Sequence, residues 1–183
     1  MKKGKIILLF GISNVGKSTI GKQLSRKLGY DFDDLDEEIK RQYGKIDSFQ
    51  SEYPFDYERH RKRGEILKEI IDKYDDNVVI AVSVINYSRF INNIIKNKEI
   101  LAIEIQDKPE NILKRLVYAD EEDKIFPINI SNIEEQKYYL KDIKKDITYY
   151  KKIYSKIENK FDIDGKLPEE ATEDLAKFIE RLK

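Results

Sequence analysis

A nine-residue stretch near the amino terminus constrains this chain more than any other feature. Residues 11–19 read Gly-Ile-Ser-Asn-Val-Gly-Lys-Ser-Thr and match the phosphate-binding pattern G-x-x-x-x-G-K-[ST]. The apolar run of residues 5–10 precedes the motif and predicts a buried parallel strand. After the motif, Ile20, Leu24 and Leu28 recur every four residues, as on one helix face. This strand–loop–helix context indicates a phosphate-binding loop and argues against a coincidental match in an ordinary glycine turn.

The motif gives each of its polar groups a chemical task. Backbone N–H groups of residues 13–18 are expected to surround a β-phosphate at a helix start, where the helix dipole favours anions. Lys17 is expected to reach the β- and γ-phosphates, and the Ser18 hydroxyl to ligate Mg²⁺. The predicted nucleotide-binding residues of the loop are Gly11, Ser13, Asn14, Val15, Gly16, Lys17, Ser18 and Thr19. The sequence therefore predicts binding of ATP or GTP together with Mg²⁺.

Composition limits the other functions open to this chain. The 183 residues include 35 basic and 35 acidic side chains, a balance that argues against a nucleic-acid-binding surface. Cysteine is absent and His60 is the only histidine, so disulfides, thiolate chemistry and a histidine-based zinc site are excluded. No apolar run approaches the roughly 20 residues that span a bilayer, and the first one is too short for a signal peptide. We expect a cytoplasmic monomer or weak dimer without membrane or nucleic-acid partners.

Short apolar runs recur along the chain and predict a sheet. The predicted strands cover residues 5–10, 30–33, 78–82, 100–105 and 160–163. They alternate with helical patterns, and this alternation is typical of a parallel sheet with helices on both faces. We predict an α/β protein with the three-layer P-loop NTPase fold. Because no linker or internal repeat interrupts the pattern, residues 1–183 are predicted to form one domain.

The stretch between the second and third strands is predicted to be mainly helical. Residues 37–43 are typical of a short helix that Gly44 ends, and residues 45–49 of a turn. Residues 56–74 carry inward-facing isoleucine and leucine side chains at helical spacing. Residues 34–74 together are a predicted acceptor-binding helical segment.

A stretch without regular period precedes the long helix of the carboxyl-terminal half. Residues 119–133 show neither helical nor strand periodicity and contain Pro127. A long loop of this kind is typical of a mobile lid that closes over a nucleotide. Apolar residues from Leu140 to Ile157 then recur every three or four positions, which predicts one long helix.

Charged residues in the helical segment are candidates for the acceptor site. Asp34 and Asp36 follow the second strand, at the sheet edge where open α/β sheets bind ligands. If strand geometry continues, both point the same way, so one can serve Mg²⁺ and the other a substrate hydroxyl. Simple capping of the next helix by negative charge explains these residues equally well. Arg59, Arg61 and Arg63 can meet an anionic substrate, although a solvated charged face explains most of them.

The phosphate-binding motif and the segment after it resemble the shikimate kinase group of nucleoside-monophosphate-kinase-like P-loop proteins. Residues 16–29 look like the first helix of that family, and residues 32–39 like its F-x-D-T-D-x-x-I segment. Residues 44–49 resemble its G-x-x-I-x-x-I-F stretch, one residue shorter. The resemblance implies a kinase that transfers a phosphoryl group from ATP, with Mg²⁺, to a hydroxyl of a small-molecule acceptor.

The same resemblance implies roles for individual residues. Lys17 stabilises the transferring phosphoryl group, and Ser18 and Asp34 serve Mg²⁺. Asp36 contacts the acceptor hydroxyl as the base or orienting group, and Arg115 packs on the nucleotide base. Phosphoryl transfer depends mainly on positioning and charge neutralisation, so such a short set of groups is chemically sufficient.

The acceptor half departs from the pattern of the family. The family has a Gly-Gly-Gly turn after its third strand, where residues 81–85 of this chain read Ala-Val-Ser-Val-Ile. Its Phe-Arg-x-x-Glu acceptor motif falls at residues 57–61, with Arg59 one place off. The family arginine that holds a carboxylate from the long helix falls near Lys145, which lacks the bidentate grip. We therefore expect an altered acceptor, with Arg59 and Lys145 among its contacts.

Two other functions compete with the kinase hypothesis. The family's lid arginine has no counterpart, because Lys124 is the only basic residue of residues 119–133, and this favours a nucleotide-binding module with little catalysis. A GTPase is the third possibility, since residues 14–18 also look like a GTPase loop and residues 159–162 read Asn-Lys-Phe-Asp. A strand-end Asp-x-x-Gly between these two stretches is missing, which argues against it.

Overall fold

A computed structural model describes residues 4–119, 125–127 and 132–182, and its centre is a five-stranded parallel sheet. The strands of this sheet are β1 Ile6–Phe10, β2 Asp31–Asp34, β3 Val78–Ala81, β4 Ile100–Gln106 and β7 Asn159–Asp162. The helices are α1 Lys17–Leu28, α2 Leu35–Tyr43, α3 Ile46–Glu52, α4 Asp56–Lys73, α5 Ser88–Ile94, α6 Pro109–Lys114, α7 Ile133–Ile153 and α8 Pro168–Arg181. The strand order is β2-β3-β1-β4-β7. The predicted α/β fold with five parallel strands is confirmed.

Strand β1 lies at the centre of the sheet and is buried on both faces. All five of its residues are buried, and Ile6 pairs with Val78 of β3 on one side and with Ile100 of β4 on the other. Successive side chains of a strand point to opposite faces, so β1 contributes to two separate hydrophobic cores. Burial of each such side chain contributes about 1.5–3 kcal/mol, which explains why a continuous apolar run is needed at this position.

The two cores are formed by different sets of helices. One face of the sheet packs against residues of α2, α3, α4 and α5 and against Tyr154 and Ile157 beyond α7. The other face packs against α1, α8, α6 and the middle of α7. This arrangement gives the three layers that the sequence predicts. It also places the start of α1 and the start of α2 at the same edge of the sheet, beyond the carboxyl ends of β1 and β2.

The predicted turn at residues 45–49 is wrong, because these residues open helix α3. Phe49 of this helix is fully buried. Its ring centroid lies 5.1 Å from that of Tyr43 and 5.3 Å from that of Tyr53. A seven-residue helix has little intrinsic stability, so packing of these rings is what stabilises α3.

The stretch predicted as a structureless lid contains part of a hairpin. Strands β5 Val117–Ala119 and β6 Ile125–Pro127 pair antiparallel, with Val117 opposite Pro127. The expectation of no strand is therefore wrong for Ala119 and for residues 125–127. Residues 120–124, with Lys124, and residues 128–131 lie outside the described part of the chain, so the lid stays a prediction.

The long helix α7 begins and ends at identifiable signals. The Asn132 side chain accepts a hydrogen bond of 2.8 Å from the Glu134 N–H and caps the first turn. The helix ends at Ile153, before the predicted periodicity does, and Tyr154 and Ile157 lie buried beyond its end. Within the described ranges, no helix combines the length and apolar character that crossing a membrane requires.

Candidate active site

A cleft of about 1740 Å³ lies at the carboxyl-terminal edge of the sheet. Residues that follow β1, β2 and β3 line it, together with side chains from α1, α3 and α4. Of the eight predicted loop residues, six line the cleft: Ser13, Asn14, Gly16, Lys17, Ser18 and Thr19. Gly11 and Val15 are buried. The cleft also contains Asp34, Asp36 and Arg115, so most of the predicted site residues come together.

The loop conformation depends on residues with positive φ. Gly11 has φ 145°, and a Cβ atom there would lie 2.6 Å from the carbonyl oxygen of Ile105, so only glycine fits. Asn14 has φ 60°, a left-handed conformation that asparagine tolerates better than most residues. Gly16 is the N-cap of α1 without a side-chain cap, which leaves the first N–H groups of α1 available to an anion.

Lys17 is held at the base of the cleft by the loop itself. Its side-chain ammonium donates hydrogen bonds of 3.0 Å to the Gly11 carbonyl and 2.8 Å to the Ile12 carbonyl. Burial lowers the pKa of Lys17 to about 8, and the nearby carboxylates of Asp36 and Asp34 oppose this effect. A buried cation of this kind is strongly attracted to polyphosphate, because few other groups neutralise it.

Ser18 and Asp34 form the part of the cleft that suits a divalent cation. The Ser18 hydroxyl donates a hydrogen bond of 2.6 Å to Asp34 Oδ2. Asp34 Oδ1 accepts a 2.9 Å hydrogen bond from the Asp36 N–H and so caps helix α2. The capping and metal-binding interpretations of Asp34 are thus compatible, because each uses a different oxygen. Burial raises the pKa of Asp34, while the hydrogen bond from Ser18 lowers it.

The side chain of the neighbouring Asp33 is not among the described residues that line the cleft, and it contacts basic and tyrosine side chains instead. Its carboxylate is buried and lies 2.7 Å from the Arg41 guanidinium and 3.4 Å from the Lys73 ammonium. It also accepts a hydrogen bond of 3.1 Å from the Tyr74 hydroxyl. Since successive strand residues face opposite sides, β2 ends in one aspartate that connects α2 to the end of α4 and one that enters the cleft.

Asp36 and Arg63 place opposite charges in the part of the cleft that is predicted to bind the acceptor. Both line it together with Lys17. Arg63 is only 8% exposed, and its Nη1 donates a hydrogen bond of 3.0 Å to the Val84 carbonyl. Burial lowers the pKa of Arg63, and Asp36 opposes that effect. The Phe49 ring centroid lies 5.8 Å from the guanidinium carbon, which adds a cation–π contact.

The charge pattern leaves open whether Arg63 meets an anionic substrate or belongs to a solvated face, but its helical spacing contains a signal for burial. Arg63, Ile66, Leu67 and Ile70 follow the i, i+3, i+4, i+7 spacing of one helix face. All four are buried. An arginine on the apolar face of a helix requires a specific partner, and the Val84 carbonyl and the cleft provide the polar surroundings of Arg63.

Helix α4 approaches the chain after β3 closely at the next residue. A Cβ atom at Gly64 would lie 3.1 Å from the nearest ring atom of Phe90, and two more ring atoms would lie at 3.3 Å. Glycine therefore allows the Phe90 ring to lie flat on the helix backbone. Arg63, the residue before Gly64, lies in this closely packed part of α4.

The structure does not bring Arg59 and Lys145 into the cleft. Arg59 lies one turn before Arg63 and is paired with Asp56. Lys145 lies on the outer side of α7, where its ammonium is 3.0 Å from an oxygen of Asp142 and its side chain is 66% exposed. Neither residue is among the described residues that line the cleft, so Arg63 is the better candidate for the acceptor contact.

Arg115 is held in the cleft by a carboxylate that sequence reasoning missed. Its guanidinium pairs with Asp107, whose side chain is fully buried. The other Asp107 oxygen accepts hydrogen bonds from the Lys108 N–H at 2.8 Å and the Gly165 N–H at 3.1 Å. It also accepts a hydrogen bond of 2.8 Å from the Asn111 side-chain amide. Asp107 thus connects the start of α6 and the loop before α8 to the arginine predicted to contact the nucleotide base.

The Asn-Lys-x-Asp pattern that suggested a GTPase has a role within the sheet. Residues 159–162 form strand β7 itself. The Asn159 side chain donates a hydrogen bond of 3.0 Å to the Ala102 carbonyl, and Lys160 pairs with the buried Glu104. These contacts fix two side chains of the pattern within the fold, and they disfavour guanine recognition by them.

Comparison with known proteins gives a family match over nearly the whole chain. The family model described as shikimate kinase matches residues 13–182. A shikimate kinase from Thermodesulfovibrio yellowstonii is 28% identical over 180 residues, which cover 97% of this chain and 96% of that protein. The solved structure of shikimate kinase from Aquifex aeolicus has a TM-score of 0.65 and 28% identity, and the match covers 96% of both chains.

Other matches are more similar but shorter. A shikimate kinase from Chlorobium phaeobacteroides is 46% identical over 74 residues, which cover 40% of this chain. The matched segments cover 5%, 37% and 15% of the lengths of the first three curated relatives.

Proposed function

Since the chain belongs to the shikimate kinase family, a family of small-molecule kinases, we propose that it transfers the γ-phosphoryl group of ATP to a hydroxyl of a small acceptor. The observation that carries this proposal is the hydrogen bond between Ser18 and Asp34. This 2.6 Å contact joins the phosphate-binding loop to the end of β2, so that nucleotide, metal and acceptor groups share one cleft. Mg²⁺ held by Ser18 and Asp34 would neutralise charge on the phosphates.

The remaining groups of the cleft have complementary tasks in this transfer. The acceptor oxygen forms a bond to the γ-phosphorus as the bond to the ADP oxygen breaks, and the hydroxyl proton leaves towards the Asp36 carboxylate. Lys17 stabilises the charge on the transferring phosphoryl group. Arg63 supplies a fixed positive charge in the acceptor half, which suits an acceptor with an anionic group. Arg115 packs against the nucleotide base.

We further propose that the acceptor differs from shikimate. Ala81, Val82, Ser83 and Val84 all line the cleft, and three of these four are buried. Side chains at these positions occupy space that a glycine turn leaves open, so the acceptor pocket has a different shape from that of the resembled family. The arginine of α4 that lines the cleft, Arg63, lies outside residues 57–61, where the acceptor motif of the resembled family falls, and this supports the same proposal.

Acceptor-stimulated ATP turnover tests the proposed activity. ADP release by the purified protein with Mg²⁺ would be measured alone and with shikimate, gluconate and nucleoside monophosphates. We expect one of these hydroxyl compounds to raise turnover, and a compound other than shikimate to give the higher kcat/KM. Lys17→Ala should lose at least 1,000-fold in turnover, as expected for the removal of a phosphate-binding cation.

The matched control is Lys27→Ala, since Lys27 lies in the same helix and is exposed at its far end. This variant should keep full activity. Tight binding of Mg-ATP without stimulation by any acceptor would contradict the kinase proposal and indicate a nucleotide-binding module. Shikimate as the best acceptor would retain the kinase and refute the altered acceptor.

A further inference from the structure

The Ser83 hydroxyl is an exception among the buried hydroxyl groups of this protein. Within the described residues, the buried serine and threonine side chains are those of Ser25, Ser83 and Thr172. Ser25 donates to the Lys22 carbonyl at 3.1 Å, and Thr172 to the Pro168 carbonyl at 2.7 Å. Ser83 Oγ is inaccessible and has no hydrogen-bond partner in the described structure. A buried hydroxyl without a partner costs about 1–3 kcal/mol, so its retention requires a reason.

Contacts with other elements hold the backbone of the residues that follow Ser83. The next residue, Val84, accepts the hydrogen bond from Arg63. The N–H of Ile85 donates to the buried Tyr154 hydroxyl at 3.4 Å. Contacts from α4 and from the chain after α7 therefore fix the backbone directly after Ser83, and the residue itself is only 6% exposed while it lines the cleft.

A second unpartnered group lies at the same end of the cleft. Arg63 Nε is buried and has no hydrogen-bond partner within the described ranges. An Nε–H group can only donate, and a serine hydroxyl can donate as well. Two unused donors that line one cleft, with a positive charge on one of them, are complementary to an oxygen-rich or anionic ligand.

From these contacts we infer that Ser83 determines acceptor specificity through a hydrogen bond to an acceptor oxygen other than the one that is phosphorylated. This inference rests on the proposed kinase function and adds a residue to it. The ligand class is a small hydroxyl compound with a second oxygen function beside Arg63. Ser83 lies in the segment where the resembled family has a Gly-Gly-Gly turn, so a side-chain contact from this segment is a feature of this chain.

Two substitutions separate a hydrogen bond from simple filling of space. Ser83→Ala removes the hydroxyl and keeps Cβ, whereas Ser83→Gly removes both. With the best acceptor of the panel, both variants should raise the acceptor KM about tenfold, as loss of one hydrogen bond predicts, and leave the KM for ATP within twofold. Ser155→Ala, at an exposed serine beyond α7, is the matched control and should change neither constant.

Other outcomes of the kinetic test would overturn the inference. An unchanged acceptor KM in Ser83→Ala would show that the hydroxyl contacts no acceptor atom. A lower acceptor KM in Ser83→Gly, with Ser83→Ala unchanged, would show that the side chain acts only by its volume.

Thermal unfolding gives a readout that does not depend on turnover. Ser83→Ala should have a Tm equal to or above that of the wild type, because no structural hydrogen bond is lost. A clearly lower Tm would reveal a structural partner and overturn the inference. With Mg-ADP present, shikimate and gluconate are the probes, and the Tm increase that the better probe produces should be smaller in Ser83→Ala.

The two measurements distinguish failure of the contact from failure of the kinase. Absence of turnover in the wild type would refute the proposed kinase activity, yet a probe-induced Tm shift that Ser83→Ala loses would still support the contact. Equal shifts in both proteins, or no shift in the wild type with either probe, would overturn the Ser83 inference.

Discussion

The two halves of the cleft are built in different ways. The nucleotide half consists of consecutive residues, 11–18, whose backbone conformation and helix start provide most of the binding groups. The acceptor half combines Asp36, Arg63 and Ser83, which come from α2, α4 and the chain after β3. A site made from consecutive backbone is fixed by local sequence, whereas a site made from distant side chains depends on the packing of several elements. The acceptor half is therefore the part that can change while the fold and the nucleotide half stay the same.

Substitution of the two neighbouring aspartates of β2 has the largest expected effect, because Asp34 lines the cleft and Asp33 contributes to the surrounding fold. Asp34→Asn should lower kcat about 100-fold and raise the Mg²⁺ concentration needed for half-maximal rate, because the oxygen that faces Ser18 loses its charge. Asp33→Asn should keep kcat within twofold and lower the free energy of unfolding by about 2 kcal/mol, since Arg41 and Lys73 lose a buried charged partner. Steady-state kinetics and urea unfolding measure the two effects.

Each aspartate variant is the control for the other. A similar loss of activity in both variants would contradict this difference between Asp33 and Asp34, because it would show that both carboxylates act in the cleft. Equal loss of stability in both would show that the hydrogen bond that Asp34 accepts from the Asp36 N–H at the start of α2 is its main role.

Two of the three arginines of α4, Arg59 and Arg63, test where the acceptor half lies. Arg63→Lys should raise the acceptor KM about 30-fold, because lysine keeps the charge but loses the planar fork that reaches Val84 and the contact with Phe49. Arg59→Lys should change the same constant less than twofold, since Arg59 is paired at the helix start. The reverse order of effects would restore Arg59 as the acceptor residue and remove Arg63 from the site.

The smallest expected effect is the pH dependence of kcat/KM for ATP. The Lys17 ammonium is the active form, and its pKa in the folded protein is lowered from 10.5 to about 8. Activity that needs this charge is therefore present below about pH 8 and lost above it. The kcat/KM for ATP should fall about fivefold between pH 8 and pH 9, whereas kcat at saturating ATP should change little, because bound phosphates favour the charged lysine. A flat kcat/KM profile up to pH 9 would contradict the burial of Lys17.

The same contrast explains what could be predicted from the sequence. The strand, loop and helix around residues 5–28 were predictable because apolar period and glycine positions are local signals. The helical state of residues 46–52 was not, because Phe49 gains its stability from rings that lie outside the predicted turn. The role of Asp107 depends on partners as distant as Gly165, and no local pattern contains that contact. Hairpin β5–β6 similarly depends on pairing between separate segments.

Among the candidate acceptor residues, Asp36 lines the cleft, whereas Arg59 and Lys145 are not among the described residues that line it. The motif resemblance points to Arg59, and the family position on the long helix points to Lys145. Burial of Arg63 follows instead from its spacing to Ile66 and Ile70 on the apolar face of α4. Helical periodicity is a physical constraint on the chain, while motif register shifts easily when one residue is inserted or deleted.

The close packing of Gly64 on Phe90 has a consequence for how this protein can diverge. Arg63 precedes Gly64, and a Cβ atom at position 64 would lie only 3.1 Å from the nearest Phe90 ring atom. Alanine at position 64 would require the helix or the ring to shift by a few tenths of an ångström, and a shift of the helix would also move Arg63. Mutation at a residue that never touches a ligand can thus retune which compounds the cleft accepts. Substitutions at such positions outside the cleft could change the accepted substrates during evolution while every charged group of the cleft is kept.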